Sequence, residues 1–158
     1  MEAKSTAENV VELTDGGKSL GEMRYDDAYF IHAKIKLADD GDYEISPVGF
    51  FGTKIRVTKE GSKIADLSMN WFGQIVIDFE GGKQYLFAAK STFSNVFLLK
   101  DQSGEVLIQF NSKFNWGKFL CQYQISAMQT EHALLVLLGV FSANYLLATM
   151  AGVTSGMA

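Results

Sequence analysis

The chain is short of the residues that anchor most recognisable chemistry. Cys121 is its only cysteine in 158 residues, which excludes an internal disulfide framework and a cysteine-rich zinc site and makes a reducing compartment the simplest setting. Pro47 is the only proline, and His32 and His132 are the only histidines. Cations are not in surplus: 14 Lys and Arg face 18 Asp and Glu, for a net charge of −4. That balance argues against a nucleic-acid partner, whose binding draws on a basic surface that releases counterions. Met1 to Asn9 contain Glu2, Lys4 and Glu8 without an apolar run, so neither a secretory signal nor a transit peptide is read there. A cytoplasmic location is expected. There is no P-loop, dinucleotide fingerprint, serine elbow or zinc-binding His-Glu motif, so no cofactor and no enzyme activity are expected.

What is present is a dense series of strand-like runs. Aromatic residues reach 13% and glycines number 15, a mixture suited to strands joined by glycine turns. Ile31, Ala33, Ile35 and Leu37 alternate with His32, Lys34 and Lys36, and Ile55 and Val57 alternate with Lys54, Arg56 and Thr58. Ala65, Leu67 and Met69 likewise oppose Ile64, Asp66 and Ser68, and Ile75, Ile77 and Phe79 oppose Gln74, Val76 and Asp78. In an extended strand this alternation puts one set on a buried face and the other on a wet one. Asp15-Gly16-Gly17, Asp40-Gly41-Asp42, Glu60-Gly61-Ser62, Glu80-Gly81-Gly82 and Ser103-Gly104 supply the residues tolerant of positive φ that hairpin turns require. Three of the resulting units resemble one another, Leu13 to Met23, Val57 to Leu67 and Leu99 to Leu107, so the hairpin is read as a repeated unit. Counting runs gives about twelve antiparallel strands between residues 9 and 125.

After Ile125 the period changes. Ser126 and Thr130 are N-cap candidates and Glu131 suits a first helical turn, which opens a helix expected over 130–151. From Ala133 to Met150 the only polar interruptions are Ser142, Asn144 and Thr149. A helix apolar on every side must be enclosed by protein or by lipid. Its length permits a membrane span of ~30 Å. Three features oppose that: Asn144 near the middle, no Lys or Arg on either flank, and small side chains at Gly139, Ala143 and Ala148. Gly139 and Ala143 also match a membrane-helix pairing spacing. Geometry favours enclosure, because about twelve strands ~4.8 Å apart and tilted ~40° close into a barrel of radius ~12 Å, whose lumen needs about one helix to fill it. The fold expected is therefore mainly β, one domain over 1–158, in which an antiparallel barrel encloses Leu134, Leu135, Leu138, Phe141, Asn144 and Tyr145.

A barrel closed around an apolar C-terminal helix, with turn units such as Leu13 to Met23 and Leu99 to Leu107, resembles the tubby C-terminal-like superfamily, and within it the LURP-one-related and phospholipid scramblase-like members. The resemblance implies a non-enzymatic binding or scaffold module associated with phospholipid or a membrane surface. The lipidated cysteine cluster and Pro-rich leader of scramblases are absent, and no residue of tubby's phosphoinositide pocket carries over. Two other readings remain: a C-terminally tail-anchored protein with a cytosolic β domain, and a lipocalin-like carrier of an apolar ligand.

The residues offer few candidate sites. Lys34, Lys36, Lys54, Arg56, Lys59 and Lys63 fall on outward faces of neighbouring hairpins and are the candidate contacts to an anionic lipid headgroup. Strand lysines also serve simply as a solvated face. Asp39, Asp40, Asp42 and Glu44 around Gly41 lack the spacing of a calcium loop and are read as a turn. No signature pairs Cys121 with a histidine, so it is read as a buried structural thiol. Asn70-Trp71-Phe72-Gly73 and Asn115-Trp116-Gly117 are similar sites; aromatics at strand ends suit a membrane interface or a ligand mouth, packing at a barrel corner explains them equally well, and packing is the reading taken.

Overall fold

The computed structural model describes residues 1–26, 30–49, 54–92, 94–115, 120–127 and 132–150. Twelve strands follow one another as β1 (Glu2–Ala7), β2 (Val10–Asp15), β3 (Lys18–Tyr25), β4 (Ala33–Leu37), β5 (Gly41–Val48) and β6 (Lys54–Lys59), then β7 (Ser62–Met69), β8 (Ile75–Phe79), β9 (Gln84–Ala89), β10 (Val96–Lys100), β11 (Val106–Asn115) and β12 (Leu120–Ala127). Each pairs antiparallel with its neighbours in sequence, and β1 pairs with β12 to close the barrel. The helix α1 (Ala133–Met150) runs through it.

The barrel begins earlier than the alternation indicates. β1 occupies residues read above as lying before the barrel, and β12 continues to Ala127. β1 carries no large apolar residue. Its inward position is Ala3, fully buried in register with Leu13 on β2 and Tyr123 on β12. Closure also removes the unpaired edges that β1 and β12 would otherwise present to other chains.

Inside, the alternation holds as read except on β7, where Asp66 is buried by its ion pairs and Met69, at the strand end, is exposed. Ala33, Ile35 and Leu37 are buried while Lys34 and Lys36 are exposed, and Ile55, Val57, Ala65, Leu67, Ile75 and Ile77 all point into the core. These side chains line a lumen too wide for them to fill, and α1 supplies the remainder. Eleven consecutive helical residues, Leu134 to Asn144, are buried, and over three turns that leaves no face in water. Tyr145 is only half-buried, a difference from the expected interior set. It lies in the last stretch of α1, ahead of the exposed Thr149 and Met150. Ser126 belongs to β12 and caps nothing, while Thr130 and Glu131 lie outside the described residues.

Among the described residues Asn144 is the one buried side-chain amide, and both its oxygen and its nitrogen are bonded. Its Oδ1 accepts from the Tyr123 hydroxyl at 2.5 Å and its Nδ2 donates to the Tyr25 hydroxyl at 2.9 Å. The second amide hydrogen faces Cys121 Sγ at 3.9 Å. Strands β3 and β12 thereby hold the helix at a fixed height and rotation. An amide left unpaired in this core would cost on the order of 1–3 kcal/mol.

A second device sets how deeply the helix seats. Gly139 faces Phe110, and a Cβ there would lie within 3.0 Å of three carbons of its ring. The ring has little freedom to retreat, since it is fully buried and packs edge-on to Phe87, 5.6 Å between centroids, which in turn stacks on Phe97 at 5.4 Å. Gly139→Ala sets a gain in helix propensity of about 1 kcal/mol against overpacking of about 1–3 kcal/mol. We predict a net loss, seen as a melting temperature lowered by a few degrees in thermal circular dichroism; an unchanged or raised value would mean that Phe110 yields.

Candidate functional site

The six outward cations do not form one cradle. On β4, Lys34 stands in register with Glu44 on β5 and Arg24 on β3, and Lys36 with Asp42 and Glu22. Acid, base and acid alternate across the Asp42–Lys36–Glu22 row, while the Lys34 row sets Glu44 against two cations, and the two rows line a shallow depression of about 440 Å³ with three charges of each sign. Opposite charges at cross-strand positions stabilise the sheet and cancel its local field.

Arg56 and Lys63 gather instead around Asp66. Arg56 Nε donates to Asp66 Oδ1 at 2.9 Å and a terminal guanidinium nitrogen reaches Oδ2 at 3.4 Å. Lys63 Nζ lies 3.0 Å from Asp66 and 3.0 Å from Glu80. Asp66 is buried, which pushes its carboxyl pKa up, but hydrogen bonds from Arg56 and Lys63 outweigh that and hold it below its ordinary value. Lys59 belongs to a third group: it meets Asp40 at 3.2 Å, lies over the Tyr43 ring at 5.2 Å, and Tyr43 donates its hydroxyl to Asp40 at 2.5 Å. Those bonds from Tyr43 and Lys59 lower the pKa of Asp40. Lys54 is exposed toward the opposite end of the barrel, in register with Ser68.

The remaining candidates resolve locally. Asp40 is committed to its turn, and among the described residues no three His, Cys, Asp or Glu gather as a metal site. Cys121 is buried, its thiol pKa raised by desolvation, with Ser5 Oγ 3.4 Å from its sulfur. That environment favours the unreactive thiol form.

The two ends of the barrel differ sharply. At the end where α1 begins, the turns carry Asp39, Asp40, Glu60, Glu80, Asp101 and Glu105. A cavity of about 1840 Å³ opens there beside Leu134, with Leu20, Ile64, Phe79, Tyr85 and Leu107 in its wall. Asp101 on its rim is a turn residue, accepting from the Ser103 and Glu105 amides at 2.9 and 3.0 Å.

At the other end, the connection between β7 and β8 holds Trp71 and Phe72 in solvent, 101% and 85% exposed. Packing at a corner was the expectation for this pair, and the structure overturns it. Asn70 explains the geometry. Its Oδ1 accepts from the Phe72 and Gln74 amides, both at 3.0 Å, and its Nδ2 donates to Gln74 Oε1 at 3.0 Å, while Gly73 takes positive φ. The polar backbone of the tip is satisfied by the Asn70 side chain and by two backbone bonds, Asn70 N–H to Gln74 O and Gly73 N–H to Asn70 O, with neither ring involved, so the two rings are free to project. Trp116, in the similar sequence, lies outside the described residues. The sequence did contain the signal for this site. Successive hairpins of an up-and-down barrel alternate ends, so acidic glycine turns and the aromatic turn between β7 and β8 fall at opposite ends once the strands are counted.

Because Asp66 has a lowered pKa in the folded chain, its stabilisation is complete above the ordinary carboxylate pKa and is lost as pH falls through the folded value. We predict that Asp66→Asn costs about 1 kcal/mol at neutral pH, measured by urea unfolding, and that the gap from wild type closes in acid. A gap independent of pH would remove the charge from the account.

No family model matches this chain, and searches of curated proteins and of solved structures return no match.

Proposed function

We propose that this protein is a non-enzymatic, tubby-like barrel that acts as a binding module for anionic phospholipid surfaces. The observation that carries this reading is the occupied interior. The helix fills the axis of the barrel from Leu134 to Asn144, unlike the open lumen of a lipocalin-like carrier, and the cavity of about 1840 Å³ lies at the end where α1 begins, so recognition falls to the outside and the ends. There the lysines of β4 stand among cross-strand acids, whereas Lys54 and Lys90 are exposed at the end away from the acidic turns. The lipid class comes from the family resemblance together with those two exposed lysines.

The tail-anchor reading rests on length and composition, which α1 satisfies. Against it stand thirteen buried residues and the bonded Asn144. An anchor would leave behind a folded β domain when removed. Here, ending the chain after Ala127 is expected to abolish cooperative unfolding, and the full chain is expected to stay soluble without detergent.

Co-sedimentation with vesicles tests the phospholipid reading. Full-length protein is expected to pellet with phosphatidylcholine vesicles containing phosphatidylserine, less so as salt is raised, and weakly with phosphatidylcholine alone. Absence of binding at low salt and high phosphatidylserine would remove the reading.

A further inference from the structure

We infer that the β7–β8 tip is the membrane-contacting surface, with Trp71 and Phe72 entering the interfacial layer of an anionic bilayer and Lys54 and Lys90 meeting the headgroups beside them. This rests on the phospholipid reading above and specifies which part of the molecule performs it.

Four observations converge on that tip. Among the described residues the exposed large apolar side chains are Met69, Trp71, Phe72 and Met150. All four lie at one end, because β7 ends there, β8 starts there, and α1 enters from the far side and finishes there. Exposed apolar surface collected in one place is informative in a way that scattered exposed residues are not.

The tip is also built rather than loose. Asn70 and Gly73 fix its backbone without help from either ring, so the rings are displayed at little further ordering cost.

The charges fit the same partner. Ile75 pairs with Phe87 as the last pair of β8 and β9 at this end, and Lys90 follows three residues beyond Phe87, just past the end of the strand beside the β7–β8 turn. Lys54 pairs with Ser68, three residues before Trp71, on the other flank. Both lysines are exposed. Of the acids described at this end, Glu8 in the β1–β2 turn stands across the barrel, six strands away, and Asp26 follows β3, four strands from β7. At the opposite end Lys59, Lys63 and Lys83 offset only part of the acids in the turns, and the remaining negative charge favours an orientation with the aromatic end toward an anionic surface.

Size separates a bilayer from a protein partner. A specific protein interface requires roughly 800 Å² per partner, spread over 20 to 30 residues. A tip of two adjacent aromatics flanked by lysines is too narrow for that, and it has the composition of an interfacial anchor, in which Trp sits at headgroup depth and Lys reaches the phosphates.

The test uses full-length protein and vesicles of phosphatidylcholine with phosphatidylserine. On binding, the part of the tryptophan emission lost in Trp71→Phe is expected to shift to the blue and to be quenched by lipid brominated near the headgroup. The double substitution Trp71→Ser, Phe72→Ser is expected to weaken vesicle binding by roughly tenfold or more, the loss expected for two partly buried rings, with the melting temperature unchanged. Lys54→Glu with Lys90→Glu is expected to weaken binding to anionic vesicles and to flatten its salt dependence. Undiminished binding by the double serine variant would overturn the inference and leave the phospholipid reading intact, whereas wild-type protein that ignores anionic vesicles would end both. A mass in solution that falls from dimer to monomer in the serine variant, without loss of vesicle binding, would identify the tip as a contact between copies of the chain.

Discussion

The lumen of a twelve-stranded barrel is the constraint on which everything else depends. Inward side chains from the sheet reach only part of the way to the axis, and an unfilled centre would forfeit dispersion contacts on every strand. The chain solves this with its own helix, and the solution dictates the helix sequence. It must be apolar around its whole circumference, because every direction leads to a strand. The few exceptions mark where the fit is specified: Gly139 admits the Phe110 ring, and Asn144 is met by Tyr25 and Tyr123. Composition alone describes such a helix and a membrane span equally well; the two are separated by what surrounds Asn144.

Filling the centre has a further effect on where chemistry can occur. The interior polar groups that exist are held in fixed, mutually satisfied positions, and burial drives the Cys121 thiol and the Tyr123 hydroxyl toward their neutral forms. Outside, the charges are arranged as pairs and ladders more than as a concentrated field. Arg56, Lys63 and Asp66 form one group and Lys59, Tyr43 and Asp40 another. The basic residues that look like a single patch in the sequence are thereby divided among separate acidic neighbours.

Sequence pattern carried most of the architecture, because antiparallel strands announce themselves through a period of two and through positive-φ turns. A closed barrel of about twelve strands, most of its inward faces and the enclosed helix were readable on those grounds. β1 was not, since a strand contributing only Ala3 to the core has no apolar alternation, and its pairing with β12 joins residues more than a hundred positions apart. The dispersal of the cations was hidden for a related reason: whether Arg56 meets a lipid or Asp66 depends on cross-strand register, which local pattern does not encode. Trp71 and Phe72 failed differently. Their apolar character argued for burial, and only the bonds made by Asn70 show how the turn stands without them.

The pairing of β1 with β12 also fixes the order in which the molecule can be completed. Ser5 and Cys121, bonded across that seam, are separated by 116 residues, and the helix follows both strands in the chain. During synthesis every strand is therefore made before the element that will fill the space between them. Local hairpins can form as they emerge, but the sheet has no core to close upon until α1 arrives. Long-range closure of this kind is slow, and it leaves inward faces open to association in the interval. The short, charged hairpins that punctuate the strands thus guard an assembly whose last piece is also its centre.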